Sequence, residues 1–129
     1  KAELINENRL EAWNYYYKEL KPLSDKGIIE IPFIPKECVH NAHMFYIKCK
    51  NLEERTRFIQ YMKEKELYCV FHYIPLHSAP AGIRFGRFSG EDCYTTKESE
   101  RLVRLPMYYG IKSTDCLAVV KGIKNFFEQ

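Results

Sequence analysis

Two runs without a chain breaker, residues 42–49 and 67–71, flank a segment that opens with a helix-capping signature. Nothing else in the chain limits the fold so tightly. The first run, Ala-His-Met-Phe-Tyr-Ile-Lys-Cys, is rich in aromatic and β-branched residues and reads as a strand. Alternation places His43, Phe45 and Ile47 on one face and Met44 and Tyr46 on the other. Asn51 with Glu54 three residues later forms a capping box. It starts a helix whose inner side carries Leu52, Phe58, Ile59 and Met62 and which reaches about Lys65. The second run is again a strand. The unit is strand–helix–strand, of βαβ type or its split version.

The flanks add helices. Leu10, Trp13, Tyr17 and Leu20 fall on one face of a helix over 4–20, which Pro22 and Gly27 are expected to end. Tyr15, Tyr16 and Tyr17 point in three directions, so at least one should be exposed. Residues 28–33 form a short β-like run closed by Pro35. Thr95 with Glu98 makes a second capping box for a helix to about residue 104, followed by an extended piece over 105–107. Ser113 or Thr114 caps a last helix with Cys116, Val119, Val120, Ile123, Phe126 and Phe127 inward. The expected fold class is α+β: a small sheet packed by helices, with a long N-terminal helix. At 129 residues, with 46% hydrophobic and 15% aromatic side chains, the chain has the means for one domain with a true core.

Charge and cysteine usage exclude several roles. The net charge is only +3, and Lys and Arg are interleaved with Glu and Asp, so no basic face for nucleic acid is read. The five cysteines, Cys38, Cys49, Cys69, Cys93 and Cys116, are odd in number and widely spaced, with no C-x-x-C. That pattern argues against a disulfide framework or zinc ribbon and suits reduced thiols in a cytoplasm. Cys69 and Cys116 sit in apolar patterns and are expected in the core. No apolar run approaches the roughly 20 residues of a membrane span. The chain opens on Lys-Ala-Glu-Leu-Ile, without Met and already in a helical pattern, and is expected to be a piece of a longer protein.

The chemistry-bearing residues gather around Phe71-His72-Tyr73-Ile74-Pro75-Leu76-His77. Behind this segment, residues 78–94 carry neither helical nor strand period and hold Gly82, Gly86, Gly90, Pro80, Arg84 and Arg87. A loop of that length in a compact domain is either functional or disordered. Pro75 biases Ile74 to extended backbone and turns Tyr73 and His77 toward the loop. The four histidines, His40, His43, His72 and His77, lack helical i,i+4 spacing and an accompanying carboxylate cluster, so hydrogen-bonded or exposed imidazoles are favoured over a metal site. A Cys–His nucleophile pair has no recognisable context at Cys69 or Cys93. Arg84 and Arg87 have the chemistry to grip a phosphate, against the plainer reading of a solvated loop tip partly offset by Glu91 and Asp92. The charge patterns over 50–65 and 98–104 read as solvated helix faces.

Three blocks carry a resemblance: Asn41-Ala42-His43-Met44-Phe45-Tyr46-Ile47, Val70-Phe71-His72-Tyr73-Ile74-Pro75-Leu76-His77, and Glu100-Arg101-Leu102-Val103-Arg104-Leu105-Pro106-Met107. In this order they resemble the C-terminal part of the DegT/StrS-type sugar-nucleotide aminotransferases. Pro80-Ala81-Gly82, Phe85-Gly86, Gly90-Glu91-Asp92 and the run 94–101 resemble in particular members that aminate dTDP-4-oxo-6-deoxy-D-glucose. The resemblance covers about residues 8–127. It implies residues 1–129 as a single small C-terminal domain of a pyridoxal-phosphate-dependent enzyme of aminotransferase fold type I. It implies amino transfer from glutamate to the 4-keto carbon of a nucleotide-linked sugar, in the cytoplasm, by a homodimer, with no nucleic acid or membrane partner. Such enzymes serve cell-surface polysaccharide synthesis. The cofactor lysine and phosphate cup belong to a large domain outside these residues, so no lysine here is the Schiff-base lysine and no residue is assigned as catalytic, cofactor-binding or metal-binding. His43, Tyr73 and His77 are the implied substrate contacts, with His72 and Asn41 behind them. The competing expectation is a stand-alone α+β ligand-binding or protein-interaction module.

Overall fold

The computed structural model describes residues 1–128. It is an α+β fold. Helix α1 (Ala2–Asp25) leads to strand β1 (Tyr46–Lys48), α2 (Leu52–Glu64) and β2 (Val70–Phe71). A 3₁₀ turn (Leu76–Ser78), α3 (Pro80–Phe85), α4 (Thr95–Arg101), β3 (Leu102–Arg104) and α5 (Ser113–Phe127) complete it. The sheet order is β1-β3-β2, with β3 antiparallel to both neighbours. The first two strands are therefore parallel and separated by the third, which is the split form of the strand–helix–strand unit.

The central strand corrects the expected helix over 95–104. Leu102 ends α4 with φ −80° and ψ 131°, and the chain enters β3 without a loop. Leu102 and Leu105 extend the apolar spacing of a helix, but two open strand edges on either side recruit the segment. Val103 is paired between Ile47 and Phe71 and is fully buried. The other strands are shorter than expected. Residues 42–45 stay outside β1, and 28–33 contribute only one antiparallel bridge, Glu30 with Lys48.

The core lies between one sheet face and helices α1, α2 and α5. Tyr16, Leu20, Phe45, Ile47, Phe58, Met62, Val103 and Ile123 are inaccessible to solvent. Burial of each such side chain contributes about 1.5–3 kcal/mol. Tyr16 reaches this depth because its hydroxyl donates to the Pro106 carbonyl at 2.9 Å, which satisfies its polar end. None of the three consecutive tyrosines is exposed: Tyr17 stacks on Trp13 at 5.2 Å, and Tyr15 is half-buried. Leu52, by contrast, is exposed rather than inward. The inward set of α5 holds, with Cys116, Val119, Val120 and Ile123 buried and Phe126 and Phe127 packed around Phe58.

Helix ends follow local chemistry, with three departures. Pro22 does not end α1, because a proline φ is helical and buried Leu20 and Leu23 hold the last turn in place. Gly27 ends it at φ +69°, where the Ile28 N–H donates to the Leu23 carbonyl and the Gly27 N–H to the Ser24 carbonyl. Asn51 caps α2 as expected, accepting from the Glu54 N–H at 2.9 Å, while Glu54 accepts from the Lys50 N–H. Thr95 does not cap α4. Tyr94 holds that position, and Asp92 accepts from the Thr96 N–H instead. Neither Ser113 nor Thr114 caps α5, whose capping position is Lys112 without a side-chain bond.

Helix α2 ends like α1, with the Leu67 N–H donating to Met62 and the Glu66 N–H to Lys63. Here the left-handed position holds Glu66, at φ +59°, instead of glycine. A side chain there costs roughly 1 kcal/mol. Glu66→Gly should therefore stabilise the domain by about 1 kcal/mol and raise its melting temperature by about 3–5 °C, as read by thermal denaturation; an unchanged or lower value would refute this.

Candidate functional site

Residues 71–94 are not structureless. Gly82 lets α3 lie directly on the 3₁₀ turn, since a Cβ at that position would sit 1.5 Å from the Leu76 carbonyl oxygen. His77 is held inside this packed loop. Its Nε2 lies 3.0 Å from Asp92 Oδ2 and 3.2 Å from Thr96 Oγ1, and its ring is 4.6 Å from that of Phe88. The Thr96 hydroxyl donates to the same Asp92 oxygen. That hydroxyl, against the opposing effect of burial and together with the Thr95 and Thr96 N–H groups and His77, holds the Asp92 carboxyl below its usual range. A carboxylate beside Nε2 calls for a proton there, which leaves Nδ1 as the ring's other polar atom. His77 lines a groove of about 390 Å3 with Leu76, Gly82, Gly86, Arg87, Phe88 and Thr95. Asp92 and Thr96 escaped the reading of the sequence. Their i,i+4 spacing at a helix start is the available signal; in the sequence Asp92 reads as a charge and both residues as parts of the resemblance blocks, with no contact role.

Tyr73 stands at φ +58°, a strained value for an aromatic residue. Its carbonyl accepts from the Ser99 hydroxyl at 3.1 Å, which ties the strained residue to α4. Its ring meets His72 edge-on at 5.2 Å and lies 5.6 Å below the Arg104 guanidinium. His72 Nδ1 is shielded from solvent and has no hydrogen-bond partner among the described residues.

Asn41 turns back on its own chain, its side-chain oxygen accepting from the His43 N–H at 3.3 Å. Ala42 between them is buried at φ +49°. This kink breaks the expected alternation, so Phe45 and Ile47 face the core and His43 does not. His43 instead lines a second groove, of about 230 Å3, with Met44, Tyr68, Val70, Arg104, Leu105, Pro106 and Met107. The structure thus joins His43 and Tyr73 through Arg104, while His77 lines a separate groove. Arg87 borders the His77 groove, and Arg84 lies over the Phe85 ring of its own helix.

The charges over 98–104 do more than face solvent. Lys48 pairs with Glu98 at 2.6 Å and Glu30 at 3.1 Å, and Arg101 pairs with both carboxylates. Arg101 Nε also donates to the Cys49 carbonyl at 2.8 Å. This network clamps the α4–β3 junction to β1 and to residue 30. Its hydrogen bond to Lys48 holds the Glu98 carboxyl below its usual range. Burial pushes Glu30 up, but bonds from Arg101 and Lys48 outweigh it and leave the group lowered.

The buried thiols are not nucleophiles of this site. Burial pushes Cys49 and Cys69 up to about 12 each, so neither is a thiolate near neutral pH. Cys38 and Cys93 are exposed, and Cys116 is in the core with Cys69 as expected. Among the described residues no three His, Cys, Asp or Glu side chains come together as metal ligands. No helix among them is long and apolar enough to cross a membrane.

A sequence model of the DegT/DnrJ/EryC1/StrS aminotransferase family matches residues 1–124. The chain belongs to this family. An uncharacterized protein of Methanocaldococcus jannaschii is 30% identical over 133 residues, covering all of this chain and 34% of that protein. Among solved structures, the aminotransferase TlmJ of Streptoalloteichus hindustanus superposes with TM-score 0.81 at 16% identity, over 95% of this chain and 31% of that one. NtdA of Bacillus subtilis, with bound cofactor PMP, gives 0.80 at 24%, over 98% and 29%. Helicobacter pylori PseC, an aminotransferase of pseudoaminic acid biosynthesis, gives 0.78 at 13%, over 95% and 33%. The chain spans about a third of the length of these relatives, and at such identities the superpositions bear on the fold. The resemblance carried by the three sequence blocks holds at the level of the family.

The depressed carboxylates set a pH dependence. Their contribution is complete above the ordinary glutamate value of 4.5 and is lost as pH falls through the lower folded values. Denaturant titrations of the wild type should show stability falling below about pH 4.5. In Glu98→Gln that fall should be smaller, with a loss at neutral pH of about 0.2–1 kcal/mol, as for a partly exposed pair. An acid slope identical in wild type and variant would refute the assignment.

Proposed function

We propose that residues 1–129 are the small C-terminal domain of a sugar-nucleotide aminotransferase. The observation that carries this reading is the family match over residues 1–124. In the full protein, the reaction moves an amino group from glutamate to the 4-keto carbon of dTDP-4-oxo-6-deoxy-D-glucose, for cell-surface polysaccharide synthesis, in a cytoplasmic homodimer. The finer identity of the sugar rests on the blocks over 80–101, which resemble members with that substrate.

The cofactor in this reading is pyridoxal phosphate. NtdA holds its amino form, and a Streptococcus pneumoniae sugar aminotransferase is known in PLP and PMP forms. The described residues do not fit such a group. Lys48 and Lys124, the half-buried lysines, are held in ion pairs with Glu98 and Glu19, and the hydrogen bond to Glu98 raises Lys48. Lys48, held protonated in this way, is a poor nucleophile toward an aldehyde. In this reading the cofactor belongs to the remainder of the protein.

What this chain contributes is a wall. A nucleotide sugar is bulky and polar, and its hydroxyls need acceptors and stacking surfaces. His77 offers Nδ1 from a ring locked by Asp92 and Thr96, His43 offers an imidazole at the second groove, and Tyr73 offers an aromatic ring beside Arg104. His72 and Asn41 hold these groups from behind. Exposed Ile74, Leu76, Ile83 and Phe85 in the same segment are what a face covered by further protein presents.

The test is to incubate the full-length protein with glutamate and dTDP-4-oxo-6-deoxy-D-glucose and look for the amino sugar nucleotide by mass spectrometry. Its absence under saturating cofactor would sink the reading. His77→Ala should weaken nucleotide-sugar binding about three- to tenfold, the worth of one hydrogen bond, and leave the cofactor's absorbance unchanged. Equal steady-state constants would remove His77 from the wall.

A further inference from the structure

We propose that Arg104 is the anion anchor of this wall, binding a diphosphate or carboxylate group of the ligand with its guanidinium edge. The proposal rests on the aminotransferase reading for the nature of the ligand and deepens it. Arg104 sits in the central strand, in register with Tyr46 on one side and Val70 on the other. Its neighbour Val103 is paired with Ile47 inside the core, so alternation puts Arg104 on the sheet face away from that core. That face is the natural place for a ligand contact on a rigid element.

The guanidinium itself lacks what a shielded cation needs. Arg104 Nε is out of reach of solvent and has no hydrogen-bond partner among the described residues. The Nε atoms of Arg9 and Arg55 are shielded and unpartnered too, but Arg55 donates through a terminal nitrogen to the Ser99 carbonyl, whereas no Asp or Glu among the described residues pairs with Arg104, which lines a groove. Arginine cannot discharge by losing a proton, so a guanidinium that lines a groove without a paired carboxylate calls for an acceptor. The groove beside it is lined by His43, Met44, Tyr68, Val70, Leu105, Pro106 and Met107, with no carboxylate in the set to neutralise the charge. Its volume of about 230 Å3 admits the anionic end of a ligand.

Orientation completes the argument. The Tyr73 ring lies beneath the guanidinium, with its centroid 5.6 Å from Arg104 Cζ. A cation–π contact of this kind uses no N–H donor, and the terminal N–H groups of a guanidinium match the paired oxygens of a phosphate or carboxylate. The strain stored at Tyr73 then has a use, because it keeps the ring under Arg104. His43 at the rim adds a donor of its own.

The experiment is calorimetric titration of the full-length holoenzyme with inorganic pyrophosphate, thymidine diphosphate and glutarate, in wild type, Arg104→Gln and Arg104→Lys. We expect wild type to bind, Arg104→Gln to lose at least tenfold, and Arg104→Lys to recover part of the loss by charge without the fork. Loss for the two phosphate probes assigns the nucleotide diphosphate; loss for glutarate assigns the amino donor's carboxylate. A wild type that transaminates, with Arg104→Gln binding every probe within twofold, overturns the anchor alone. A wild type that binds no probe and transfers no amino group overturns both readings. A thermal melt of Arg104→Met gives an independent check: an unpaired cation can be replaced without loss, so a melting temperature lower by more than about 5 °C would assign Arg104 to the fold and overturn the proposal.

Discussion

Antiparallel pairing of Leu102–Arg104 with β1 on one side and β2 on the other is the constraint from which the rest of the domain follows. Only three residues make the central strand, and none is spare. Val103 fills the core between Ile47 and Phe71, and Arg104 is displayed on the opposite face. Because α4 runs into β3 without a loop, seating the strand also seats the helix. The charge network of Glu30, Lys48, Glu98 and Arg101 then bolts that junction to β1. Individually such pairs are weak, but here they share partners and two backbone contacts to Cys49.

From the seated helix the order passes to the loop. The start of α4 presents Thr96 to Asp92 and to His77, and its later turn presents Ser99 to the strained carbonyl of Tyr73. Both candidate contact residues are therefore held by one short helix. Such preorganisation suits a wall meant to receive a ligand. A helix of seven residues has little stability of its own, so the orientation of Tyr73 and His77 depends on a strand on the far side of that helix.

Local signals were legible wherever the energetics are local. Asn51 and Glu54 cap α2 because the groups that bond lie within four residues of each other. The inward stripe of α5 and the glycine ending α1 could be read for the same reason. The misses share an opposite cause. Pro22 was expected to stop a helix that buried Leu20 and Leu23 carry past it, and Leu52 was placed in a core that does not extend to it. The capping box of Thr95 and Glu98 is the exception, a local miss: Asp92, only four residues before Thr96, accepts its N–H instead. The helix drawn through residue 104 failed because nothing local says that two strand edges lie waiting for residues 102–104.

The sequence by itself determined the class of fold, the strand–helix–strand unit, the burial of Cys69 and Cys116 and the family, since these rest on periodicity, capping chemistry and ordered motifs along the chain. It also named His43, Tyr73 and His77 as residues to examine. Only the tertiary structure decided which strand is central, that His43 leaves the core face at Ala42, and that Tyr73 and His43 meet around Arg104 while His77 is locked by Asp92. Those outcomes depend on groups as much as 61 residues apart, as Arg104 is from His43. Pairing and burial across such separations have no signature in any window of the chain, because each segment's local preference is weaker than the free energy of the contacts it finally makes.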